Sequence, residues 1–174
     1  GLATPTIEVG AGVLSVAVSP DGKLLATGDT DRGLMLWDAV ERRLLKVLSG
    51  PRKNYVFQVA FSPDGRTVAG GDGYGAIRLW DVATGEAGHV MRGHKDQVSG
   101  LAFSADGRYL ASTGNDHMAK LWDLSTGKDY ATLAADDKNL GLVAWTDSKS
   151  VLTSSTDGVV RLWNAGTGEL QQAI

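Results

Sequence analysis

Ser112, His94 and Asp116 are the residue types of a hydrolytic triad, in which an imidazole takes the proton of a serine nucleophile and a carboxylate orients the imidazole. That chemistry requires the hydroxyl to stand exposed beside oxyanion donors, with the base facing a cleft. Other reactive types are sparse. The chain has no cysteine, which excludes disulfides, thiolate metal sites and cysteine nucleophiles. His89 and His117 read as surface residues of a strand and a turn, and no further histidine or cysteine in phase with them completes a ligand set, so neither metal nor cofactor is expected. The stretch GGDGYG at residues 70–75 would have to open a helix to cradle a phosphate. It leads into the strand-like AIRLW instead and reads as a hairpin turn. Asp136 and Asp137 are adjacent on a loop, not an acid and a base facing each other across a sugar.

The elements that position these residues begin with composition. At 174 residues the chain is one domain's worth, and 43% hydrophobic against 21% charged residues is too apolar for a disordered segment. A net charge of −3 argues against a phosphate-binding basic face, so nucleic acid is not expected as a partner. No apolar run approaches the roughly 20 residues of a membrane span, and no membrane partner is expected. The opening GLATPTIEVG lacks the charged start and apolar stretch of an export signal; with the missing cysteines, this leans towards a cytoplasmic protein. Twenty-three glycines against four prolines point to many short strands joined by turns.

Tryptophan supplies the period. Trp37-Asp38, Trp80-Asp81, Trp122-Asp123 and Trp163-Asn164 follow one another at 43, 42 and 41 residues. A second series keeps the same beat: VAVSPDG from Val16, VAFSPDG from Val59, LAFSADG from Leu101 and VAWTDSKS from Val143. Trp145 therefore takes the place of Val18, Phe61 and Phe103. Each unit reads as four strands. In the second, VFQVAFS alternates up to the Pro63-Asp64-Gly65 turn, TVAG and AIRLW follow, and GHVMR comes after the Ala83-Thr84-Gly85 turn. No segment has a helical period. The reading is an all-β chain, residues 1–174 forming one region of four blades at about 11–50, 51–93, 94–135 and 136–174.

With Trp-Asp, the SPDG turns and Gly93-His94 at constant phase, the chain resembles the WD40 repeat family over residues 11–174, and FSPDGR and WDVATGE resemble bacterial repeats. The resemblance implies β-propeller blades of four antiparallel strands, and it implies a structural tetrad in place of a triad. In the third repeat the matching set is His94, Ser112, Asp116 and Trp122. The first repeat keeps Thr27, Asp31 and Trp37 and the fourth keeps Thr153, Asp157 and Trp163, with Val9 and Asp136 near the missing histidine. The second has Gly70, Tyr74 and Trp80, so only its tryptophan matches. The degenerate repeats are expected to lean on apolar packing, leaving the second blade least rigid.

Family members close at about seven blades, so four blades leave three arrangements open: a partial propeller, half of an eight-bladed ring made with a second copy, or closure of four blades alone. Residues 4–9, TPTIEV, read either as an outer strand completing the last blade or as the last strand of a preceding repeat. The resemblance further implies a non-catalytic scaffold or sensor that binds protein partners through rim loops. The rim positions are Thr30, Gly73, Asn115 and Thr156 before each turn, Leu14, Phe57, Ser99 and Gly141 on the innermost strands, and Gly12, Tyr55, Gln97 and Asn139 two residues earlier. Tyr55 and Phe57, following Arg52, are the expected anchors, with Gln97 and Asn115 as polar contacts. The alternatives are a self-assembling or engineered half-propeller and, less favoured, a propeller enzyme.

Overall fold

Sixteen strands form in the computed structural model, which describes residues 6–10, 12–48, 55–134 and 140–174. The first blade is β1 (Val13–Val18), β2 (Leu24–Asp29), β3 (Leu34–Asp38) and β4 (Arg43–Leu48). The second is β5 (Val56–Phe61), β6 (Thr67–Asp72), β7 (Ala76–Asp81) and β8 (Ala87–Arg92). The third is β9 (Val98–Phe103), β10 (Tyr109–Gly114), β11 (Met118–Asp123) and β12 (Lys128–Ala134). The fourth is β13 (Leu140–Trp145), β14 (Ser150–Ser155), β15 (Val160–Asn164) and β16 (Leu170–Ala173). Each blade is a separate four-stranded antiparallel meander in chain order, and the expected all-β propeller architecture is what the chain adopts.

The repeated Ser-x-Asp-Gly turn explains the first hairpin of three blades. Ser19 Oγ donates to Asp21 at 2.6 Å and accepts the Leu24 N–H at 2.9 Å, and Gly22 supplies the left-handed backbone at φ 73°. Ser62 with Asp64, and Ser104 with Asp106, repeat the same bonds. The serine hydroxyls and the following backbone N–H groups hold all three aspartates below the usual carboxylate range.

Side chains alternate across each strand, so each blade has two faces, and the tryptophan face always turns towards the blade before it. Ala26, Leu34, Leu36 and Leu48 of the first blade meet Val56, Val59, Val68 and Trp80 of the second. Ala69, Ile77, Leu79 and Met91 meet Val98, Leu110 and Trp122. Ala111, Ala119, Leu121 and Leu133 meet Leu140, Val143, Val151 and Trp163. The innermost strands carry the stack: β5 lies on β1 and β2, β9 on β5 and β6, and β13 on β9 and β10.

The stack is an open arc among the described residues. Val16 and Val18, on the tryptophan face of the first blade, are 62% and 57% exposed, and Leu142 on the far face of the fourth is 69% exposed. Closure of four blades alone is therefore not what forms, because a closed ring buries those side chains. The exchanged outer strand is not formed either: β16 is the fourth blade's own last strand, and residues 6–9 lie outside any strand.

Candidate functional site

The structure brings His94, Ser112, Asp116 and Trp122 into one hydrogen-bonded chain. His94 lies in the loop before β9, Ser112 on β10, Asp116 in the β10–β11 turn and Trp122 on β11. Asp116 faces Nδ1 of His94 at 2.9 Å, which places the imidazole proton there. Nε2 then accepts the Ser112 hydroxyl at 2.7 Å, and that oxygen accepts the Trp122 indole N–H at 2.8 Å. Ser112 is fully buried. Its proton goes to histidine and its lone pair takes the indole, so the hydroxyl is sealed inside the blade where a nucleophile would need to be open. Burial holds the His94 imidazole below its ordinary pKa, against the pull of Asp116. For Asp116 burial opposes the charge, but the Lys95 N–H and the His94 side chain outweigh it and lower its pKa.

The other blades reach the same end by different bonds. Trp37 donates to Thr27 and Trp163 to Thr153, both at 2.9 Å. Asp31, aligned with Asp116, is exposed; the buried carboxylate of the first blade is Asp29, two residues earlier, which accepts the N–H groups of Asp31, Arg32 and Gly33. In the second blade Asp72 holds the same phase, accepts the N–H groups of Tyr74 and Ala76, and pairs with Arg78 at 2.7 Å. Reliance on apolar packing alone is thus corrected: the second blade carries a buried ion pair. In the fourth, Asp157 keeps its place and pairs with Arg161 at 2.7 Å, which lowers its pKa to about 2, the Arg161 side chain being the largest cause. The third blade has Gly114 at the Asp72 position. A Cβ there would stand 2.6 Å from Nδ1 of His94 and 2.7 Å from Asp116. The space therefore holds an imidazole from the loop or a side chain from the strand, never both. Sequence reasoning missed Asp29, Asp72 and Arg78 by looking at the turn phase; their signal is a shared position, Asp29 to Asp72, and a cation two residues before Trp80.

At one end of the strands the rim is braced by a recurring bond. The Thr30 N–H donates to Gly12, the Gly73 N–H to Tyr55 and the Asn115 N–H to Gln97, at 3.2, 3.2 and 2.9 Å. Tyr55 is 52% exposed, and its ring meets that of half-buried Phe57 edge-on at 6.2 Å. Phe57 lies over Gly73, where a Cβ would come within 2.9 Å of the ring. The next residue, Tyr74, is 74% exposed and joins the same rim, a role hidden while it is read as a lost member of the tetrad. Gln97 and Asn115 sit side by side, half-buried. Ser99 is less available, since its hydroxyl donates to the Leu140 carbonyl at 2.6 Å and ties β9 to β13. Thr30 and Thr156 are exposed on the outer two blades. Arg52, Asp136, Asp137 and Asn139 lie outside the described residues, and among the described residues no acidic or histidine cluster has a metal-binding arrangement.

Stacked four-stranded blades with an indole buried in each define an arc of a β-propeller. The profile of the WD domain, G-beta repeat family matches residues 6–38, 42–81, 85–123 and 129–164, and the chain belongs to that WD40 family. It is similar to the general transcriptional corepressor TUP1 of Saccharomyces cerevisiae, 47% identical over 38 residues, which are 22% of this chain and 5% of that protein. Among solved structures it is similar to U3-55K, with a TM-score of 0.86 and 24% identity over 92% of this chain and 51% of that one. It is also similar to the RRP9 WD40 repeats, with a TM-score of 0.85 and 25% identity over 92% and 50%. The chain spans about half the length of those two structures and a small part of the corepressor.

Two outcomes follow from the anchors. Asp72→Ala leaves a buried guanidinium without its partner and lowers unfolding free energy by roughly 3–5 kcal/mol, while adding Arg78→Met restores most of the loss; urea titration of both variants checks it, and a double mutant no more stable than Asp72→Ala contradicts the pairing. Because burial holds the folded pKa of His94 below its ordinary value of 6.5, its contribution is whole above that pH and declines as the pH falls through the folded pKa. Urea midpoints measured downward from pH 7 therefore fall more steeply for the native chain than for His94→Gln, and parallel curves would contradict this.

Proposed function

We propose that this WD40 arc is a non-catalytic protein-interaction platform whose primary docking surface is the rim bearing Tyr55, Phe57 and Tyr74. The observation that carries the reading is that cluster: three aromatic rings at one blade end, two of them more than half exposed, on a backbone braced by the Gly73-to-Tyr55 bond. Large rigid side chains bury much area with few rotors to freeze, and a braced rim requires little ordering on binding. Gln97, Asn115, Thr30 and Thr156 supply polar contacts around it, with Arg52 adjoining in sequence. The net charge of −3 favours protein over nucleic acid as the partner. The location proposed is cytoplasmic, in keeping with a cysteine-free chain.

A second reading rests on the uncovered end faces. Val16 and Val18 on one side and Leu142 on the other are apolar where the inner blades are covered, and two copies joined at both ends would make an eight-bladed ring. Peptides selected from a displayed library against the intact chain test the first reading. Tyr55→Ala combined with Tyr74→Ala weakens those that bind by at least about tenfold, with the far-UV spectrum unchanged. Ligands indifferent to both changes would overturn the rim assignment. A sedimentation mass of twice 18.3 kDa that survives dilution would give the end faces to a second copy, and a mass of 18.3 kDa would withdraw that reading.

A further inference from the structure

The opposite end of the strands, where the Ser-x-Asp-Gly turns lie, carries a cavity of about 450 Å³ in the seam between the second and third blades. Buried Leu79 and half-buried Phe103 and Leu124 lie at its depth, and exposed Asp64 and Asp106 stand at its mouth. Among the described residues no lysine or arginine joins its walls. Thr67, which opens β6, leaves the room for it. The same position is Leu24 at the preceding seam. At the next it is Tyr109, whose ring meets Tyr130 edge-on at 5.3 Å and stacks on Trp145 at 6.3 Å. Of the three seams, only this one sets a small polar side chain at that place.

Each of the two aspartates is half engaged. Oδ1 of Asp64 accepts the Ser62 hydroxyl at 2.6 Å and the Arg66 N–H at 3.0 Å. Oδ1 of Asp106 accepts the Ser104 hydroxyl at 2.6 Å and the Arg108 N–H at 3.1 Å. Those bonds hold both carboxyls below the usual range, so both are charged at neutral pH. No bond reaches either Oδ2 among the described residues. Arg66 and Arg108 follow the two turns but stay outside the walls, and the Arg108 guanidinium lies over the Tyr109 ring of the next seam, 5.8 Å from its centre. The first seam shows what such a place takes when the chain itself supplies it. There Lys46 of the first blade donates its ammonium to the Val82 and Ala83 carbonyls of the second. Its counterpart at the second seam is His89, which packs against Gly127. The counterpart carbonyls of Leu124 and Ser125 receive no bond among the described residues, so the second seam lacks that ammonium. An apolar depth suits a methylene stem, and a mouth with two carboxylates suits the cation at its end. We propose that this cavity is a second docking site, taking a lysine side chain from a basic segment of a partner protein, its stem on Phe103 and Leu124 and its ammonium beside Asp64 and Asp106. The site is separate from the Tyr55 rim, at the other end of the blades, and stands or falls without it.

The test is fluorescence anisotropy of the intact chain with a labelled peptide of alternating lysine and glycine, against the same peptide with glutamate for lysine. The basic peptide binds and the acidic one does not, and binding weakens as salt rises. Asp64→Asn combined with Asp106→Asn weakens it by at least about tenfold, the asparagine oxygens keeping the turns. Asp21→Asn combined with Asp38→Asn removes the same charge from the first blade and changes binding by less than about twofold. Thr67→Leu puts the side chain of the first seam into the cavity, keeps both carboxylates, and abolishes binding, with circular dichroism verifying the fold. No binding by the native chain, equal binding of the two peptides, or binding that survives Thr67→Leu would overturn the proposal. Equal losses from the two asparagine pairs would reduce the effect to net charge and overturn it as well.

Discussion

A four-stranded blade has two apolar faces and can hide each of them only against another blade. Everything else in this molecule depends on that constraint. The outgoing faces are built of small and branched residues such as Ala26, Ala69, Ala111 and Leu121, and the incoming faces present the indole and β-branched side chains that fill the space between. At about 25 cal/mol per Å² of apolar surface removed from water, these three seams are the main source of stability, and no blade has it alone. The two end faces follow from the same rule: the position buried inside the arc as Val59 or Val143 is left open at its first blade as Val16, and Leu142 is left open on its last.

Within each blade the buried polar groups still need partners, and the solutions differ. The third blade uses an imidazole chain, the second a buried guanidinium–carboxylate pair, the first a carboxylate closing its own turn, and the fourth a half-exposed ion pair. Breaking one member of a desolvated pair costs more than the pair contributes, so removing one partner of an anchor is costlier than replacing both. The mutual exclusion at Gly114 shows how: where the strand offers no side chain, the loop histidine enters. Rigid anchors also suit the blade ends to the recognition proposed for them. The rims inherit their stiffness from the bonds beneath them.

Much of this was legible in the residues alone, for physical reasons. The tryptophan spacing and the Ser-x-Asp-Gly turns are local and periodic, so the sixteen strands and the blade order could be read directly. His94, Ser112, Asp116 and Trp122 were legible because each lies at a constant phase of the repeat. Asp72 and Arg78 were not, because their pairing replaces the usual members at different phases. Tyr74 was hidden for a related reason: losing a place in the anchor and gaining one on the rim leave the same mark in sequence. The convergence of Tyr109, Tyr130 and Trp145 joins strands of two blades, a contact that no spacing within one repeat announces. The choice among ways of closing the ring depended on what covers the end faces, which composition does not report.

The account rests on sequential stacking into an arc with covered inner blades and uncovered ends. Residue-resolved hydrogen exchange at low protein concentration tests this most directly. The prediction is slowest exchange in Val98–Phe103 and Tyr109–Gly114, whose blade is covered on both sides, and markedly faster exchange in Val13–Val18 and Leu170–Ala173. Protection of the end strands equal to that of the third blade would contradict it.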